Sequence, residues 1–286
     1  MEQREWNWLS QEGNQVHAVE WRPNNEATTH AVIILVHGKG EHAGGYIHVA
    51  ENFTASGIAV MAFDQFGHGK TEGKRGDAPS YDHLMEGIDR LLEEAKHRYA
   101  GLPVFLYGHS MGGNIVINYA LRRRQPLAGA IASSPWLKLS AAEQPVFLKI
   151  ANRILQQRKS KLSIGPPSYL TSDAEMLAKI TSDPLRHNRF SARLFFAIRR
   201  AGQWALANAD SLSVPMLIMH GDRDTVTSFE ASRLFAERAG TRCTFREWPG
   251  LKHELHNEKE REQIFAAVKT WIRERTDEWI GERSGE

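Results

Sequence analysis

Five short runs of uninterrupted apolar residues set the strongest limit on the fold of this chain. The runs are Ala31–Val36, Ile58–Phe63, Pro103–Tyr107, Leu127–Ala132 and Pro215–His220. A strand that is buried on both faces shows this pattern, whereas a strand with one wet face alternates apolar and polar residues. Helical stretches lie between several of the runs, near residues 46–56, 81–99 and 111–123. Strands that alternate with helices predict an α/β fold with a mostly parallel central sheet and helices on both faces.

Both ends of the chain add elements to this sheet. Rough alternation near Glu5–Leu9 and Gln15–Trp21 predicts two N-terminal strands. A late strand is predicted at Cys243–Trp248, and a long helix follows it at roughly Glu258–Arg275.

One long segment interrupts the alternation of strands and helices. About 80 residues separate the strand that ends near Ser133 from the strand that starts near Val214, and a single crossover needs far fewer. Amphipathic pieces within it, VFLKIANRILQQ and ARLFFAIRRAGQWAL, predict helices. We therefore expect a helical cap inserted after the sixth strand, over the sheet edge where ligands bind in open α/β folds. The predicted organisation is a core at residues 1–134 and 213–286, with the cap at residues 135–212.

The composition narrows the class of partner and the compartment. The 286 residues carry 36 Lys and Arg against 34 Asp and Glu, a formal net charge of +2. This balance argues against nucleic acid as a partner, because phosphate binding needs a dominant basic face. The one cysteine, Cys243, excludes an internal disulfide and a Cys-rich metal site. No apolar run approaches the roughly 20 residues of a membrane span. The first ten residues lack the apolar core of a signal peptide, so we expect a cytoplasmic protein.

The segment GHSMG, at residues 108–112, directly follows an apolar strand and directly precedes a helical stretch. A G-x-S-x-G pattern in that context is a nucleophile elbow. The glycines are needed because side chains at their positions would clash with neighbouring backbone in so tight a turn. The turn holds the serine in a strained conformation, with its Oγ projecting at the positive end of a helix. We therefore predict that Ser110 is a nucleophile.

A serine nucleophile needs a base and a group that orients the base. In folds with this elbow, the acid and then the histidine follow the serine along the chain. Asp224, in HGDRD, and His253, in KHELH, each lie just past the end of a predicted strand, so both can converge on Ser110. We predict Asp224 as the acid and His253 as the base. Asp222 stays an alternative acid, and His256 stays an alternative base.

The negative charge that develops during acyl transfer needs two backbone N–H groups aimed at it. One is predicted at Met111, directly after the nucleophile, and the other in the loop after Ala31–Val36. That loop reads HGKGEH, and its glycines let the backbone approach a ligand closely. Lys39 is the predicted second donor, through its backbone rather than its ammonium group.

Six motifs resemble those of a known family and extend over nearly the whole predicted core. They are HGKGEHAGGY (37–46), DQFGHGKTEG (64–73), GHSMGG (108–113), SDPL (182–185), HGDRD (220–224) and KHELHNE (252–258). The chain resembles the α/β-hydrolase superfamily, and within it the monoacylglycerol lipase and lysophospholipase-like group, which grades into the proline-type serine aminopeptidases. GHSMGG fits many hydrolases, whereas HG-x-GEH together with D-x-x-GHG is much more specific to this group.

This resemblance implies the same triad and the same two oxyanion donors that the residues suggest. The family acid lies three residues after the glycine of the HG turn, which favours Asp224 over Asp222. The resemblance also implies that Glu41, His109 and His256 hold the glycerol hydroxyls of a substrate. The alternative interpretation is that Glu41 only braces its own loop and that His109 only packs under the elbow.

Two loop features qualify the resemblance. Mammalian-type lipases carry an arginine before the tyrosine of the first motif, where this chain has Gly45 before Tyr46. One support for a glycerol site is therefore expected to be missing or to come from elsewhere. Asp64 and His68 look catalytic in isolation, but in the family their segment, DQFGHG, is a structural turn beside the site.

The function implied by the resemblance is that of a serine carboxylic-ester hydrolase acting through an acyl-enzyme, with no metal or organic cofactor. Its expected substrates are single-chain lipid esters, preferentially a monoacylglycerol. A lysophospholipase and a general carboxylesterase are alternatives in the same class. A serine aminopeptidase would need an acidic pocket for a free amine. A hydrolase-fold binding protein that has lost turnover is the alternative from a different class.

The predicted cap is basic between Lys138 and Lys161. Apolar residues interleave with the basic ones, a pattern that fits an amphipathic helix lying on an anionic membrane surface or attracting a phosphate headgroup. The alternative is a solvated helix face over a packed interior. The apolar cap residues, with LFFAI (194–198), are candidates to line an acyl-chain tunnel. No feature of the sequence predicts an oligomeric state. The basic residues are Lys138, Lys149, Arg153, Arg158, Lys159 and Lys161.

Overall fold

The apolar runs form the centre of one eight-stranded sheet. The computed structural model describes residues 1–123, 125–140 and 166–284. Within them the strands are β1 (Glu2–Leu9), β2 (Gln15–Arg22), β3 (Ala31–Val36), β4 (Ile58–Phe63), β5 (Val104–His109), β6 (Gly129–Ser133), β7 (Met216–Gly221) and β8 (Cys243–Trp248). Their order across the sheet is β1-β2-β4-β3-β5-β6-β7-β8. β2 pairs antiparallel with both of its neighbours, β1 and β4. All other neighbouring strands are parallel, so the predicted mostly parallel sheet is confirmed.

Helices cover both faces of this sheet. Those in the described residues are α1 (Ile47–Thr54), α2 (His83–Arg98), α3 (Met111–Arg122), α4 (Ala174–Ser182), α5 (Ala192–Ala207), α6 (Phe229–Ala239) and α7 (Arg261–Ser284). Three of them, α4, α5 and α6, begin at side-chain caps of the usual kind. The Asp173 carboxylate accepts from two backbone N–H groups at the start of α4, and the Ser228 hydroxyl accepts from the Ala231 N–H at the start of α6.

Two apolar layers lie on opposite faces of the sheet because successive strand residues point to opposite sides. Val32, Ile34 and Val36 of β3 belong to one buried cluster, together with residues of α2, α3, α5 and α6. Ile33 and Leu35 belong to the other, together with residues of α1 and α7. β3 is therefore buried on both faces, which is why its sequence is apolar without interruption.

The predicted element bounds hold within a few residues, with one larger difference at the C-terminus. Helix α7 runs to Ser284, whereas the sequence predicts an end near Arg275. The predicted end reflects the polar composition of the last turns. Trp279 packs against the apolar cluster that contains α7, and this contact extends the helix beyond the point where the sequence pattern fades.

The segment between β6 and β7 holds helices α4 and α5. Helix α5 is the predicted amphipathic piece ARLFFAIRRAGQWAL, and it rests on the helix that follows the elbow. The Asn118 amide of α3 donates to the Ala201 carbonyl at 3.3 Å. The other piece, VFLKIANRILQQ, and the basic residues from Lys149 to Lys161 lie outside the described residues. The boundaries of the cap therefore stay a prediction, as does its contact with a membrane.

No helix in the described ranges combines the length and the apolar character needed to cross a bilayer. The cytoplasmic location stays a prediction.

Candidate active site

Strand β5 and helix α3 meet at a turn of one residue, Ser110. Its backbone has φ 54° and ψ −112°, a left-handed conformation that L residues rarely adopt. The flanking glycines make the turn possible. A Cβ on Gly108 would lie 2.3 Å from the Gly112 carbonyl oxygen, and a Cβ on Gly112 would lie 2.0 Å from the carbonyl oxygen of Val36. The strand–turn–helix geometry expected for GHSMG is therefore present.

Three side chains from three different loops form a hydrogen-bonded line at this turn. Nε2 of His253 lies 3.0 Å from Oγ of Ser110. Nδ1 of His253 lies 2.7 Å from Oδ2 of Asp224. Because a carboxylate only accepts, His253 carries its proton on Nδ1, and Nε2 is left to accept from the serine hydroxyl. This is the arrangement that a serine nucleophile, its base and an orienting acid require.

The carboxylate of Asp224 is saturated with hydrogen bonds. Its Oδ1 accepts from the backbone N–H groups of Val226 at 2.7 Å and Thr227 at 3.0 Å. Its Oδ2 accepts from the Thr227 hydroxyl at 2.7 Å and from Nε2 of His220 at 2.9 Å, in addition to His253. Burial disfavours the charged form, but the charge of His253 and the two imidazole hydrogen bonds outweigh it and hold the pKa of Asp224 well below its usual value.

The base responds to the same contact in the opposite sense. Burial alone would lower the pKa of His253, but the negative charge of Asp224 and the hydrogen bond to it are stronger, and the pKa is raised. Asp224 therefore makes His253 a better proton acceptor and stabilises its charged form.

The two alternative residues lie elsewhere. Asp222 is exposed, and its Oδ1 accepts from the Gly250 N–H at 2.6 Å instead of facing a histidine. His256 is buried and stacks on the Tyr46 ring with centroids 4.7 Å apart. Neither side chain reaches Ser110 within the described structure, so the geometry favours Asp224 and His253 for the two roles.

The predicted oxyanion donors are positioned by the elbow and by the loop after β3. Met111 is the first residue of α3, and Lys39 lines the cavity that also contains Ser110. Among the described residues, neither backbone N–H donates to another group of the protein. His37 anchors the loop from behind. Its Nδ1–H donates to the Gly38 carbonyl at 2.7 Å, and its Nε2 accepts from the Gln65 N–H at 2.9 Å.

A cavity of about 350 Å³ opens over Ser110 and His253. Its lining combines apolar side chains with charged and polar ones. The apolar lining residues are Trp136, Pro166, Pro167, Leu170, Ile180 and Val226; the polar ones include Glu41, His109, Asp183, Arg186, His187 and Glu254. A ligand that has an apolar end and a polar end matches this lining.

Arg186, which no sequence pattern singled out, connects two polar residues of the cavity lining. Its Nη2 donates to Glu254 at 2.6 Å and to Glu41 at 3.2 Å. The guanidinium therefore binds Glu41 from the segment after α4, and Gly45 offers no side chain for this contact. A signal was present, because Arg186 directly follows the SDPL motif. Nothing in the sequence, however, indicates that this segment crosses over the loop that contains Glu41.

The two carboxyls bound by Arg186 differ in their ionisation. Burial, and then the negative charge of Glu254, raise the pKa of Glu41 to about 7. Burial also opposes ionisation of Glu254, but the charge of Arg186 outweighs it and keeps the pKa of Glu254 below its usual value. Oε2 of Glu41 also accepts from the Gly38 N–H at 2.6 Å and from the Tyr46 hydroxyl at 2.5 Å. Glu41 therefore braces its own loop and also lines the cavity, and its contact with glycerol hydroxyls stays a prediction.

The two histidines predicted with Glu41 occupy different depths. His109 lines the cavity. His256 packs against His109, with the two ring centroids 4.9 Å apart, and is not among the lining residues of the described structure. Burial lowers the pKa of His256 to about 3. Burial also lowers the pKa of His109, to well below its usual value, and the charges of His253 and His256 act in the same direction. Both rings are therefore neutral near pH 7.

Asp64 and His68 contact loop backbone rather than the cavity. The Asp64 carboxylate accepts from the Ala43 and Lys70 N–H groups, each at 2.7 Å. His68 donates from Nδ1 to the Phe66 carbonyl at 2.8 Å. The interpretation of this segment as a structural turn beside the site fits these contacts.

The segment LFFAI does not form a tunnel wall in the described structure. Leu194, Phe195 and Ile198 pack into the core cluster beneath Trp136, and none of them lines the cavity. None of the three therefore contacts a ligand in the cavity over Ser110, and the expectation that the segment lines an acyl-chain tunnel stays a prediction. Helix α5 buries its apolar face against the core instead.

Glu41, His109 and Glu254 present ligand atoms within 4.8 Å of one another, a spacing that a metal ion can use. The guanidinium of Arg186 already donates to both carboxylates, and a cation at this position would repel it. The donor set therefore fits an arginine-centred cluster better than a metal.

Comparisons with known proteins agree with this geometry. The sequence profile of the family described as "Serine aminopeptidase, S33" matches residues 27–260. A monoacylglycerol lipase of Mycolicibacterium smegmatis (strain ATCC 700084 / mc(2)155) is 32% identical over 260 residues, which are 88% of this chain and 90% of that protein. Phospholipase YtpA of Bacillus subtilis (strain 168) is 31% identical over 263 residues, 87% of this chain and 96% of that protein.

A solved structure extends the similarity to the whole fold. The crystal structure of Paleococcus ferrophilus monoacylglycerol lipase matches with a TM-score of 0.78 at 31% identity, over 96% of this chain and 100% of that chain. The sheet order, the elbow and the profile match all lead to one assignment. The chain belongs to the serine aminopeptidase S33 family of α/β-hydrolases, in its monoacylglycerol lipase-like group, and it is a serine hydrolase.

Proposed function

We propose that this protein hydrolyses carboxylic esters of single-chain lipids, with a monoacylglycerol as the preferred substrate. The observation that carries the proposal is the line from Ser110 through His253 to Asp224, which opens on a cavity lined by both apolar and polar side chains. The apolar side chains suit an acyl chain. The polar side chains suit the hydroxyl groups of a glycerol.

The proposed reaction has two halves. Oγ of Ser110 attacks the ester carbonyl while Nε2 of His253 takes its proton, and Asp224 stabilises the charged imidazole. The oxyanion accepts from the N–H groups of Lys39 and Met111. The ester C–O bond then breaks, and His253 returns the proton to the departing alcohol. A water molecule, deprotonated by His253, attacks the acyl-enzyme; the bond from Oγ of Ser110 to the acyl group breaks, His253 returns the proton to Oγ, and the fatty acid leaves.

The preference for a neutral polyol rests on the charges of the polar residues that line the cavity, because these charges are largely compensated within the protein. Glu254 is compensated by Arg186 at 2.6 Å, and Glu41 is partly protonated near pH 7 because its pKa is about 7. Hydroxyl groups can both donate to these carboxyls and accept from the guanidinium. The monoacylglycerol lipases of M. smegmatis and P. ferrophilus support this choice.

A lysophospholipase is the second candidate. Phospholipase YtpA of B. subtilis is nearly as similar to this chain as the M. smegmatis enzyme. An aminopeptidase is disfavoured by the structure of the wall. A free amine needs an uncompensated carboxylate, and Arg186 already binds both Glu41 and Glu254.

The test is the hydrolysis of a medium-chain monoacylglycerol, compared with the matching lysophosphatidylcholine, by the wild type and by Ser110→Ala. We expect rapid fatty-acid release from the monoacylglycerol and a loss of about 10⁴-fold or more in the variant. Release from the phospholipid alone would replace the first candidate by the second. If the folded wild type cleaves neither lipid, the lipid-ester proposal is wrong.

A fluorophosphonate probe then separates the remaining classes. Labelling of Ser110 in a protein that cleaves no lipid would indicate a hydrolase with another substrate. A folded protein that resists labelling would be a binding module.

A further inference from the structure

A second imidazole, besides that of His253, contacts the proposed catalytic acid. His220 is the last residue but one of β7, and its Nε2 lies 2.9 Å from Oδ2 of Asp224. Its Nδ1 lies 2.8 Å from Oγ of Ser232, in the first turn of α6. His220 and Ser232 are both 0% exposed. A histidine in such a place needs both ring nitrogens satisfied, and it finds one partner on each side.

The partners fix which nitrogen carries the proton. Asp224 can only accept, so His220 donates from Nε2. In the neutral ring Nδ1 is then an acceptor, and the Ser232 hydroxyl donates to it. The hydrogen bonds run in one direction, from Ser232 to His220 to Asp224.

This line joins the proposed triad end to end. Oδ2 of Asp224 accepts from His220 at 2.9 Å and from His253 at 2.7 Å, so one carboxylate oxygen is shared by two imidazoles. The hydrogen bond from His220 draws negative charge away from the oxygen that faces the base. It also limits the positions that the carboxylate can adopt.

We propose that His220, held in its tautomer by Ser232, is a positioning residue that fixes the orientation of Asp224 and tunes the basicity of His253. This inference rests on the proposed function only in assigning the acid and base roles to Asp224 and His253. His220 itself touches neither Ser110 nor the cavity.

Two substitutions distinguish this role from simple packing. His220→Leu fills the space but removes both hydrogen bonds. His220→Gln keeps an N–H donor for Asp224 and a carbonyl acceptor for the Ser232 hydroxyl. We expect kcat to fall by about 10- to 100-fold in the leucine variant, as for the loss of a hydrogen bond to a charged group, and to recover most of that loss in the glutamine variant.

The pH profile supplies a readout that packing alone would not change. Without the His220 hydrogen bond, Asp224 concentrates more charge on the oxygen that faces His253, so His253 holds its proton more tightly. The acidic limb of activity should therefore move to higher pH in His220→Leu, by roughly half a unit or more. The other carboxylates that act on His253, Glu254 and Glu41, are the same in every variant.

The limb is measured as the rate of Ser110 labelling by a fluorophosphonate across pH 5–9, together with monoacylglycerol hydrolysis. Labelling reports on His253 whatever the natural substrate is, so the inference is tested even if the lipid is not cleaved. A leucine variant that is slower with an unmoved limb, or a glutamine variant as slow as the leucine one, would overturn the role. Far-ultraviolet circular dichroism and the unfolding midpoint identify any variant that misfolds, and Ser232→Ala then replaces it, with the same upward shift expected to a smaller extent.

Discussion

The proposed triad and the Glu–Arg–Glu cluster (Glu41, Arg186 and Glu254) lie beside the same cavity but are built differently. The triad comes from loops that directly follow strands of the sheet. Its carboxylate, Asp224, accepts hydrogen bonds from two imidazoles and from backbone N–H groups. The cluster joins the loop after β3, the segment before α5 and the loop after β8. It places two buried carboxyls around a single guanidinium, and one of them, Glu41, is partly protonated near pH 7 because its pKa is about 7. The triad is arranged for one reaction, whereas the cluster contains one carboxyl with a raised pKa, Glu41, and one with a lowered pKa, Glu254.

The largest expected effect breaks the triad side of this comparison. Asp224→Asn keeps the shape but removes the charge that raises the pKa of His253. We expect kcat to fall by about 10⁴-fold, because the base loses its orientation and its preferred tautomer. The acidic limb of the remaining activity should move to lower pH, the direction in which a histidine without its carboxylate shifts.

Asp222→Asn is the matched control for this change, since it has the same chemistry two residues away in an exposed position. Its kcat should stay within about twofold of the wild type. A large loss in the Asp222 variant and a small one in the Asp224 variant would exchange the two assignments.

A smaller effect is expected at the cluster, and in stability rather than chemistry. Arg186→Met leaves the ionised carboxylate of Glu254 buried without its partner. Removing one member of a buried pair costs about 3–5 kcal/mol, so the denaturant midpoint should fall and the free energy of unfolding should drop by an amount of this order. The KM for monoacylglycerol should also rise, since the guanidinium lines the cavity.

Arg193→Met provides the comparison for Arg186, because Arg193 pairs with Asp77 at 3.0 Å while more than half of its side chain is exposed. Such pairs contribute about 0–1 kcal/mol. If urea unfolding gives equal losses for the two variants, Arg186 does not hold the cluster together.

The smallest effect concerns the pH dependence of stability. The pKa of Glu41 is about 7 in the folded chain, above the ordinary value of 4.5. The folded state therefore binds a proton that the unfolded state releases, and stability falls as pH rises from about 4.5 to 7. Glu41→Gln keeps a neutral side chain at every pH. From pH 5 to pH 7 the wild type should lose about 1–3 kcal/mol relative to this variant.

Chemical unfolding at the two pH values measures that difference. Comparison with the variant cancels the contribution of the buried histidines, whose lowered pKa values act in the opposite direction. A wild type that gains stability relative to Glu41→Gln over this range would show that Glu41 is ionised throughout.

Prediction from sequence succeeds where a structural requirement is local. A run of six apolar residues is typical of a strand buried on both faces, so β3, β4 and the neighbouring parallel strands are predictable. The elbow is equally predictable, because a strand, the GHSMG turn and a helix follow one another directly along the chain. The end of α7 is not predictable in this way, since its last turns are polar in sequence while Trp279 packs against a buried cluster.

The choice between two residues of one motif already exceeds what local pattern can decide. Asp222 and Asp224 have the same chemistry and lie two positions apart. The turn after β7 directs one carboxylate to the N–H groups of Val226 and Thr227 and leaves the other in solvent. Only the path of the backbone separates them.

The sequence by itself determined the parallel sheet, the elbow at Ser110 and the small set of acids and histidines able to serve it. These follow from side-chain volume, backbone sterics and strand order, which act over a few residues. The tertiary structure alone decided that Arg186 reaches Glu41 and Glu254, across 145 and 68 positions of the chain, and that His220 shares an oxygen of Asp224 with His253. Such contacts depend on where distant segments cross, and burial then sets which of the charged groups keeps its proton.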